Sequence, residues 1–313
     1  MTVAPLMLAV SVAFPKPGQV LPPVDSTYMS GAVPRGTQTI TVQGREVSVY
    51  RTGGWVTMVD VVSGENQIEI VAGDVKTNVT VRVEQKPKPL PVNKTAAREK
   101  KWTKLEYAKD EPRVHPSGKA PSDILIVVDP GHGGPADTGA VSPHGFFEKE
   151  ANLRLAREVV IALTNMGYRV EMTRNSDIPL VLTERPRSAC EGEADAFVSI
   201  HHNATACNSD PRKVRYTAVY AWNPIGEALA KAVSGKMAAE LEGDIPSSGV
   251  LHANFAVTRN PEVPSCLVET DFITTPEGEE AIWDWKRRRR IGEAIAQGID
   301  EWCRTPPPAG KRE

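Results

Sequence analysis

The sequence is poor in aromatic side chains, 6% of 313 residues, and in cysteine, of which it has four. None of Cys190, Cys207, Cys266 and Cys303 falls in a CxxC pair, which excludes a cysteine-built zinc cluster or a dithiol redox motif. Cys190 and Cys207 flank one apolar strand, where an oxidising compartment permits a bridge. Cys266 belongs inside another strand as a small apolar residue. No segment approaches the roughly 20 apolar residues of a membrane span. Excess charge of one sign is lacking too: the formal net charge is −2, so no broad basic field marks a nucleic-acid surface. The basic run Lys286 to Arg290 leads into Ile291, Ile295 and Ile299, a core-facing stripe beneath a solvated face. A nucleic-acid partner is therefore not expected.

Residues Met1 to Phe14 are apolar and uncharged, too few to cross a bilayer and without a basic leading segment. They read as a candidate signal segment, with Val12-Ala13 near a small-residue cleavage point. The chain is longer than one core usually organises, so two domains are expected. Residues 15–85 read as a small all-β sandwich, with Thr39 to Val42, Val47 to Tyr50, Trp55 to Val62, Gln67 to Ala72 and Asn78 to Val83 as strands between Gly-containing turns. Lys86-Pro87-Lys88-Pro89-Leu90-Pro91 opens a basic, Pro-rich linker over 86–122, with a short helix near Ala96 to Tyr107. Residues 1–120 carry 16 basic and 11 acidic side chains, and 121–313 carry 21 and 28. The linker reads as a solvated connector, or as a tether to an anionic envelope polymer.

From Ile124 strands and helices alternate, which argues an α/β domain over 123–304: a mostly parallel six-stranded sheet flanked by helices, then a flexible tail over 305–313. Strands are expected at 124–128, 168–173, 195–201, 216–221, 255–258 and 265–270. Helices are expected at 148–166, 180–192, 224–242 and 284–302.

The chemistry collects at strand ends. Asp129-Pro130-Gly131-His132-Gly133-Gly134 follows the apolar run Ile124 to Val128, which sets His132 at the carboxyl edge of a sheet, where open α/β folds bind ligands. Glu148 opens an amphipathic helix. His201 and His202 end the strand Ala196 to Ile200, and Glu269 ends Cys266-Leu267-Val268. Two histidines and a carboxylate are a usual zinc set with a position left for water. Zinc makes that water acidic and polarises a carbonyl, and a carboxylate outside the set relays the proton to a leaving amine. Strand alternation forbids His201 and His202 from both facing the pocket.

These residues resemble the zinc-dependent N-acetylmuramoyl-L-alanine amidases of the amidase_3 type. The resemblance runs from about 123 to 303. It rests on the His132 loop, Asp137-Thr138-Gly139-Ala140, Glu148-Lys149 with Asn152-Leu153, Thr173-Arg174, Leu182 with Arg185, Ala194-Asp195, Ser199-Ile200-His201-His202-Asn203 and Leu267-Val268-Glu269. It implies His132, Glu148 and His201 as ligands of one zinc, with Glu269 as the catalytic glutamate. It also selects His201 over His202. The implied reaction frees the stem peptide of peptidoglycan by cutting the amide between the lactyl group of N-acetylmuramic acid and L-alanine. Such a substrate implies export, to the periplasm or cell envelope. The same ligands would serve a zinc peptidase acting within the stem, and a wall-binding scaffold would need only the fold.

The sequence departs from the family at Thr138 (usually proline), Asp271 (usually glycine) and Thr275 (usually asparagine). Asp271 is expected to raise the pKa of Glu269 or alter substrate preference. Asn203 either orients substrate or closes a turn. Asp129, Arg185 and Arg259 read as bracing groups, His252 as a surface residue, and His144 and His115 as loop residues without a nameable partner. Some family members hold an inhibitory helix in an insertion near residues 204–215. This chain has no room for one, so a cleft open without an activator protein is expected. Thr41-Val42-Gln43-Gly44, Gly53-Gly54-Trp55 and Gly64-Glu65-Asn66 look like bacterial immunoglobulin-like modules, read here as a spacer because no aromatic platform is evident.

Overall fold

The computed structural model describes residues 10–86, 115–260 and 262–306. The expected helix near Ala96 to Tyr107, most of the linker and most of the tail lie outside the described residues.

The N-terminal part is all β. Strands β1 (Ser11–Phe14), β3 (Ser26–Ala32) and β6 (Gly54–Asp60) form one sheet in the order β1-β3-β6. Strands β2 (Val20–Leu21), β4 (Thr39–Val42), β5 (Arg45–Ser48), β7 (Gly64–Ala72) and β8 (Val75–Val83) form a second, in the order β2-β8-β7-β4-β5. The reason is periodic: Ile68 pairs with Val79 across the β7–β8 hairpin, Ile70 and Val81 share that face, and all four are almost fully buried, while their neighbours point outward. Met29 and Trp55 of the first sheet close the same core. The sequence missed β1 and β2, which are only four and two residues long, and β3, whose Ser, Thr and Gly interrupt its alternation. The segment read as a signal reaches into this sheet: residues 1–9 lie outside the described residues, but Ser11 to Phe14 pair with β3 and Ala13 is buried. The expected segment 1–14 thus takes in the whole of strand β1, which ends at Phe14.

The second part carries six strands and five helices among the described residues. Their order is β9 (Leu125–Pro130), α1 (Glu148–Asn165), β10 (Arg169–Met172), α2 (Glu184–Glu191), β11 (Ala196–Asn203), β12 (Thr217–Ala221), α3 (Pro224–Glu240), β13 (Ser247–His252), β14 (Ser265–Phe272), α4 (Pro276–Trp283) and α5 (Trp285–Arg304). The sheet order is β10-β9-β11-β14-β12-β13. It is a mixed sheet: β10, β9, β11 and β14 run together, whereas β12 is antiparallel to β14 and β13 follows β12. Even-numbered residues of β9 and β11, Ile126, Val128, Val198 and Ile200, pack under α1 in the main core, which α5 and α3 continue toward β12 and β13. Odd-numbered ones face a smaller cluster with Ala189 of α2 and Val257. That thinner cover leaves the carboxyl ends of β9, β11 and β14 accessible on the odd face.

Two elements correct the expectation. Residues 255–258 are not a strand: Ala256–Thr258 is a 3-10 turn, and the sixth strand is β13. Its Ser-Ser-Gly opening and edge position give it little apolar pattern to read. Helix α4 was not expected, although Thr275 caps Gly278 N–H at 3.0 Å, Pro276 starts the first turn and Glu277 follows. Thr275 thus supplies the cap an asparagine would supply. No described helix is long and apolar enough to cross a membrane.

Candidate active site

The loop after β9 is held from behind by two arginines. Arg185 donates to Asp129 Oδ1 at 2.8 Å, to the Pro130 carbonyl at 2.9 Å and to the His132 carbonyl at 2.8 Å. Arg174 donates to the carbonyls of Pro130, Gly131 and Lys149, each at 2.9 Å. Asp129 is fully buried and also accepts from Thr173 Oγ1 at 2.5 Å and Ser199 Oγ at 2.7 Å. Its lone pairs are spent inside the protein, which makes it a brace. Arg259, read with these braces, is instead exposed.

So fixed, the loop turns His132 into the left-handed region at φ 63° and aims its ring at Glu148. His132 Nε2 lies 3.3 Å from Glu148 Oε2, and His201 Nδ1 lies 2.9 Å from Glu148 Oε1. The two imidazoles meet edge-on at 4.9 Å. One donor atom from each of His132, Glu148 and His201 lies within 4.8 Å of the others. The backbone leaves room for this closeness: a Cβ on Gly131 would collide with the His201 ring, and one on Gly139 would come within 2.6 Å of Glu148 Oε2.

The electrostatics follow from burial and pairing. Burial works to raise the Glu148 pKa, but hydrogen bonds from His132 and His201 win and hold it well below the carboxylate range. Ala140 N–H at 2.9 Å and Asn152 Nδ2 at 3.1 Å also donate to it. For His132, burial pulls the pKa down, yet the Glu148 and Asp137 carboxylates override it and hold the ring at about 9. Asp137 Oδ1 sits 2.5 Å from His132 Nδ1, which orients the ring from outside the cluster.

Glu269 is brought to the same place. It pairs in register with His201 across β11–β14, so both side chains leave the odd face. Its Oε2 is out of solvent contact and has no hydrogen-bond partner. Burial first, and then the nearby Glu148 charge, raise its pKa well above the ordinary value. His202 points to the other face, where its Nδ1 meets Asn152 Oδ1 at 2.8 Å and burial keeps the ring neutral, with a pKa of about 3.

Other expectations resolve differently. Asp271 is no perturber of Glu269: it is fully buried, bound by Arg215 at 2.8 and 2.7 Å and within 3.0 Å of Arg287 Nη2. Two guanidiniums neutralise its charge locally. Asn203 Oδ1 accepts from Ala204 N–H at 2.8 Å, closing its own turn. His144 does have a partner, Glu279 Oε2 at 2.6 Å, and its other ring nitrogen reaches the Thr52 carbonyl at 3.2 Å. No local spacing announces that pair, since 135 residues separate its members. His115 lies edge-on to Trp302. His252 is exposed, as expected. Cys207, Cys266 and Cys303 are free thiols, and Cys190 Sγ donates to Asn260 Oδ1 at 3.3 Å. Between β11 and β12 the described chain forms one 3-10 turn, Pro211–Lys213, and no longer helix. A cavity of about 990 Å³ lined by Arg35, His144, Arg215 and Trp283 contains none of the four site residues.

Comparison with known proteins agrees in family. Residues 126–301 match the N-acetylmuramoyl-L-alanine amidase family, amidase_3. Amidase AmiC of Neisseria meningitidis serogroup B is 33% identical over 225 residues, 58% of this chain and 53% of that protein. Amidase AmiA of Escherichia coli K12 is 30% identical over 241 residues, 63% of this chain and 81% of that one. Among solved structures, AmiC2 of Nostoc punctiforme superposes with a TM-score of 0.54 at 34% identity, covering 57% of this chain and 96% of that one. The chain belongs to the amidase_3 family of N-acetylmuramoyl-L-alanine amidases.

Proposed function

We propose that this chain is a zinc-dependent peptidoglycan hydrolase that cleaves the amide between the lactyl group of N-acetylmuramic acid and the L-alanine of the stem peptide. The carrying observation is one juxtaposition. His132, Glu148 and His201 gather three donor atoms within 4.8 Å, and the adjacent strand sets beside them Glu269, partly buried and with one oxygen out of solvent and unpartnered.

The donor set fits zinc. Two imidazole nitrogens and one carboxylate oxygen are the ligands that zinc hydrolases use, and Glu148 is held ionised for the task. His132, Glu148 and His201 would hold the ion. Bound there, zinc supplies a Lewis acid for the lactyl carbonyl and lowers the pKa of water toward neutrality. Glu269 accepts the proton of the attacking water and delivers it to the departing alanine nitrogen. A carboxyl with a raised pKa suits both halves of that relay. Asp137 orients His132, while Arg174 and Arg185 keep the His132 loop in place. Asn203 has its Oδ1 engaged, so its amide nitrogen is the atom it offers to substrate carbonyls.

The substrate places the protein in the periplasm or cell envelope. The N-terminal β-sandwich acts as an immunoglobulin-like spacer, and the short Pro211–Lys213 turn leaves the cleft open without an activator protein. The test is metal dependence measured with metal content. Chelation abolishes hydrolysis, zinc restores it, and the active form carries one zinc per chain. Full activity of a metal-free chain would overturn the reading. Fragments cut within the stem would make the protein a zinc peptidase, and wall binding without any cleavage would make it a scaffold.

A further inference from the structure

On the far side of Glu269 from the histidines stands β12. Its Ala218 pairs directly with Glu269 across the antiparallel ladder. Side chains alternate, so Tyr220, which pairs with Leu267, lies on the Glu269 face, and Tyr216, just before the strand, brings its phenol close to that of Tyr220. Ala218 is fully buried and offers only a methyl group, which leaves the space before Glu269 to the two phenols. Both tyrosines are partly exposed. Each is braced edge-on by a phenylalanine: Tyr216 by Phe272 at 5.0 Å, Tyr220 by Phe255 at 5.1 Å. The Tyr220 phenol is pushed up to about 12 by burial, then by Tyr216 and the Glu269 carboxylate. It is a neutral donor at physiological pH and close enough to Glu269 to feel its charge.

The strand order gives the site a direction. Across β9, β11, β14 and β12 come His132, His201, Glu269 and the tyrosines. The carbonyl of a scissile amide belongs with the His132–Glu148–His201 cluster, and its nitrogen with the proton carrier Glu269. Whatever is attached to that nitrogen continues over β12. We propose that Tyr216 and Tyr220 form the subsite for the stem peptide on the leaving-amine side, their hydroxyls donating to its carbonyl and carboxylate oxygens. This rests on the amidase reading above. The glycan is then left to the opposite side, over β9.

The test compares two soluble substrates that share the scissile bond: N-acetylmuramoyl-L-alanine, and the same compound extended by γ-D-glutamate and L-lysine. The double variant Tyr216→Phe/Tyr220→Phe keeps both rings and removes both hydroxyls. Its KM for the extended substrate rises about tenfold, the size of a lost hydrogen bond or two, with kcat nearly unchanged. Its KM for the short substrate stays at the wild-type value. An equal rise on both substrates, or none on either, overturns the proposal. A second readout needs no turnover: binding of the free tripeptide, followed by ligand-observed NMR on Glu269→Ala protein with and without the two substitutions. Weakening by the same factor supports the subsite, and indifference overturns it. If the wild type cleaves neither substrate yet binds the peptide through the tyrosines, the amidase reading falls and the peptide subsite stands.

Discussion

Glu269 and His201 sit directly opposite each other on neighbouring parallel strands, and their side chains leave the same face of the sheet. The pairing matters because sheet geometry fixes the separation of adjacent strands near 4.8 Å. The proposed proton carrier is thereby held at constant reach of a proposed metal ligand, without a flexible loop between them. Glu148, which opens α1, approaches from a different element and completes the cluster.

Replacing Glu269 by Gln keeps the shape and removes the proton carrier. Activity falls by about 10²–10⁴-fold, the usual contribution of general acid–base catalysis. Zinc content is unchanged by plasma mass spectrometry.

The same substitution stabilises the metal-free protein. A carboxyl whose folded pKa is raised binds its proton more tightly folded than unfolded, so it opposes folding increasingly as pH rises above the unfolded value. Near neutrality Glu269→Gln therefore raises Tm, by roughly 2–4 °C for each kcal/mol relieved in a chain of this size. Near pH 4 the two proteins melt alike. Calorimetry at the two pH values reads the difference.

Gly139→Ala tests how tightly the cluster is packed. The residue has φ +66°, and its new methyl would press on Glu148 Oε2 at 2.6 Å and His132 Cδ2 at 2.7 Å. Zinc affinity drops by at least tenfold in a competition titration, while circular dichroism retains the fold.

Arg185→Ala leaves Asp129 buried without its cation. Breaking such a pair costs about 3–5 kcal/mol, which chemical denaturation will measure. Asp129→Asn in the same background recovers part of the loss, because the stranded charge is then gone.

His144 makes a pH-dependent contribution within the second part of the chain. Its pKa is raised chiefly by the hydrogen bond to Glu279. The stabilisation is complete below the unfolded value, about 6.5, and is lost as pH rises through the folded value. His144→Gln flattens that segment of the stability profile and leaves its acid side lower than wild type.

The candidate site was legible because each of its proposed members ends a strand or opens a helix beside a recognisable motif. His132, Glu148, His201 and Glu269 all converge. The strand periodicity of β7 and β8 and the apolar runs of β9, β11 and β14 were equally plain. What stayed hidden depends on distant partners. His144 meets Glu279 only after folding, and Asp271 is quenched by Arg215 and Arg287 from two other segments. The edge strand β13 and the Ser/Thr-rich β3 lack the alternation that would announce them. Helix α4 is the exception, since its Thr-Pro-Glu start was readable from the sequence alone.

The most direct test of the central claim is mass spectrometry of purified peptidoglycan digested by the zinc-loaded wild type, with Glu269→Ala and a chelated sample alongside. The account predicts free peptides beginning at L-alanine, intact glycan strands, and no release in either control. Peptides cut inside the stem, or equal release by Glu269→Ala, would contradict it.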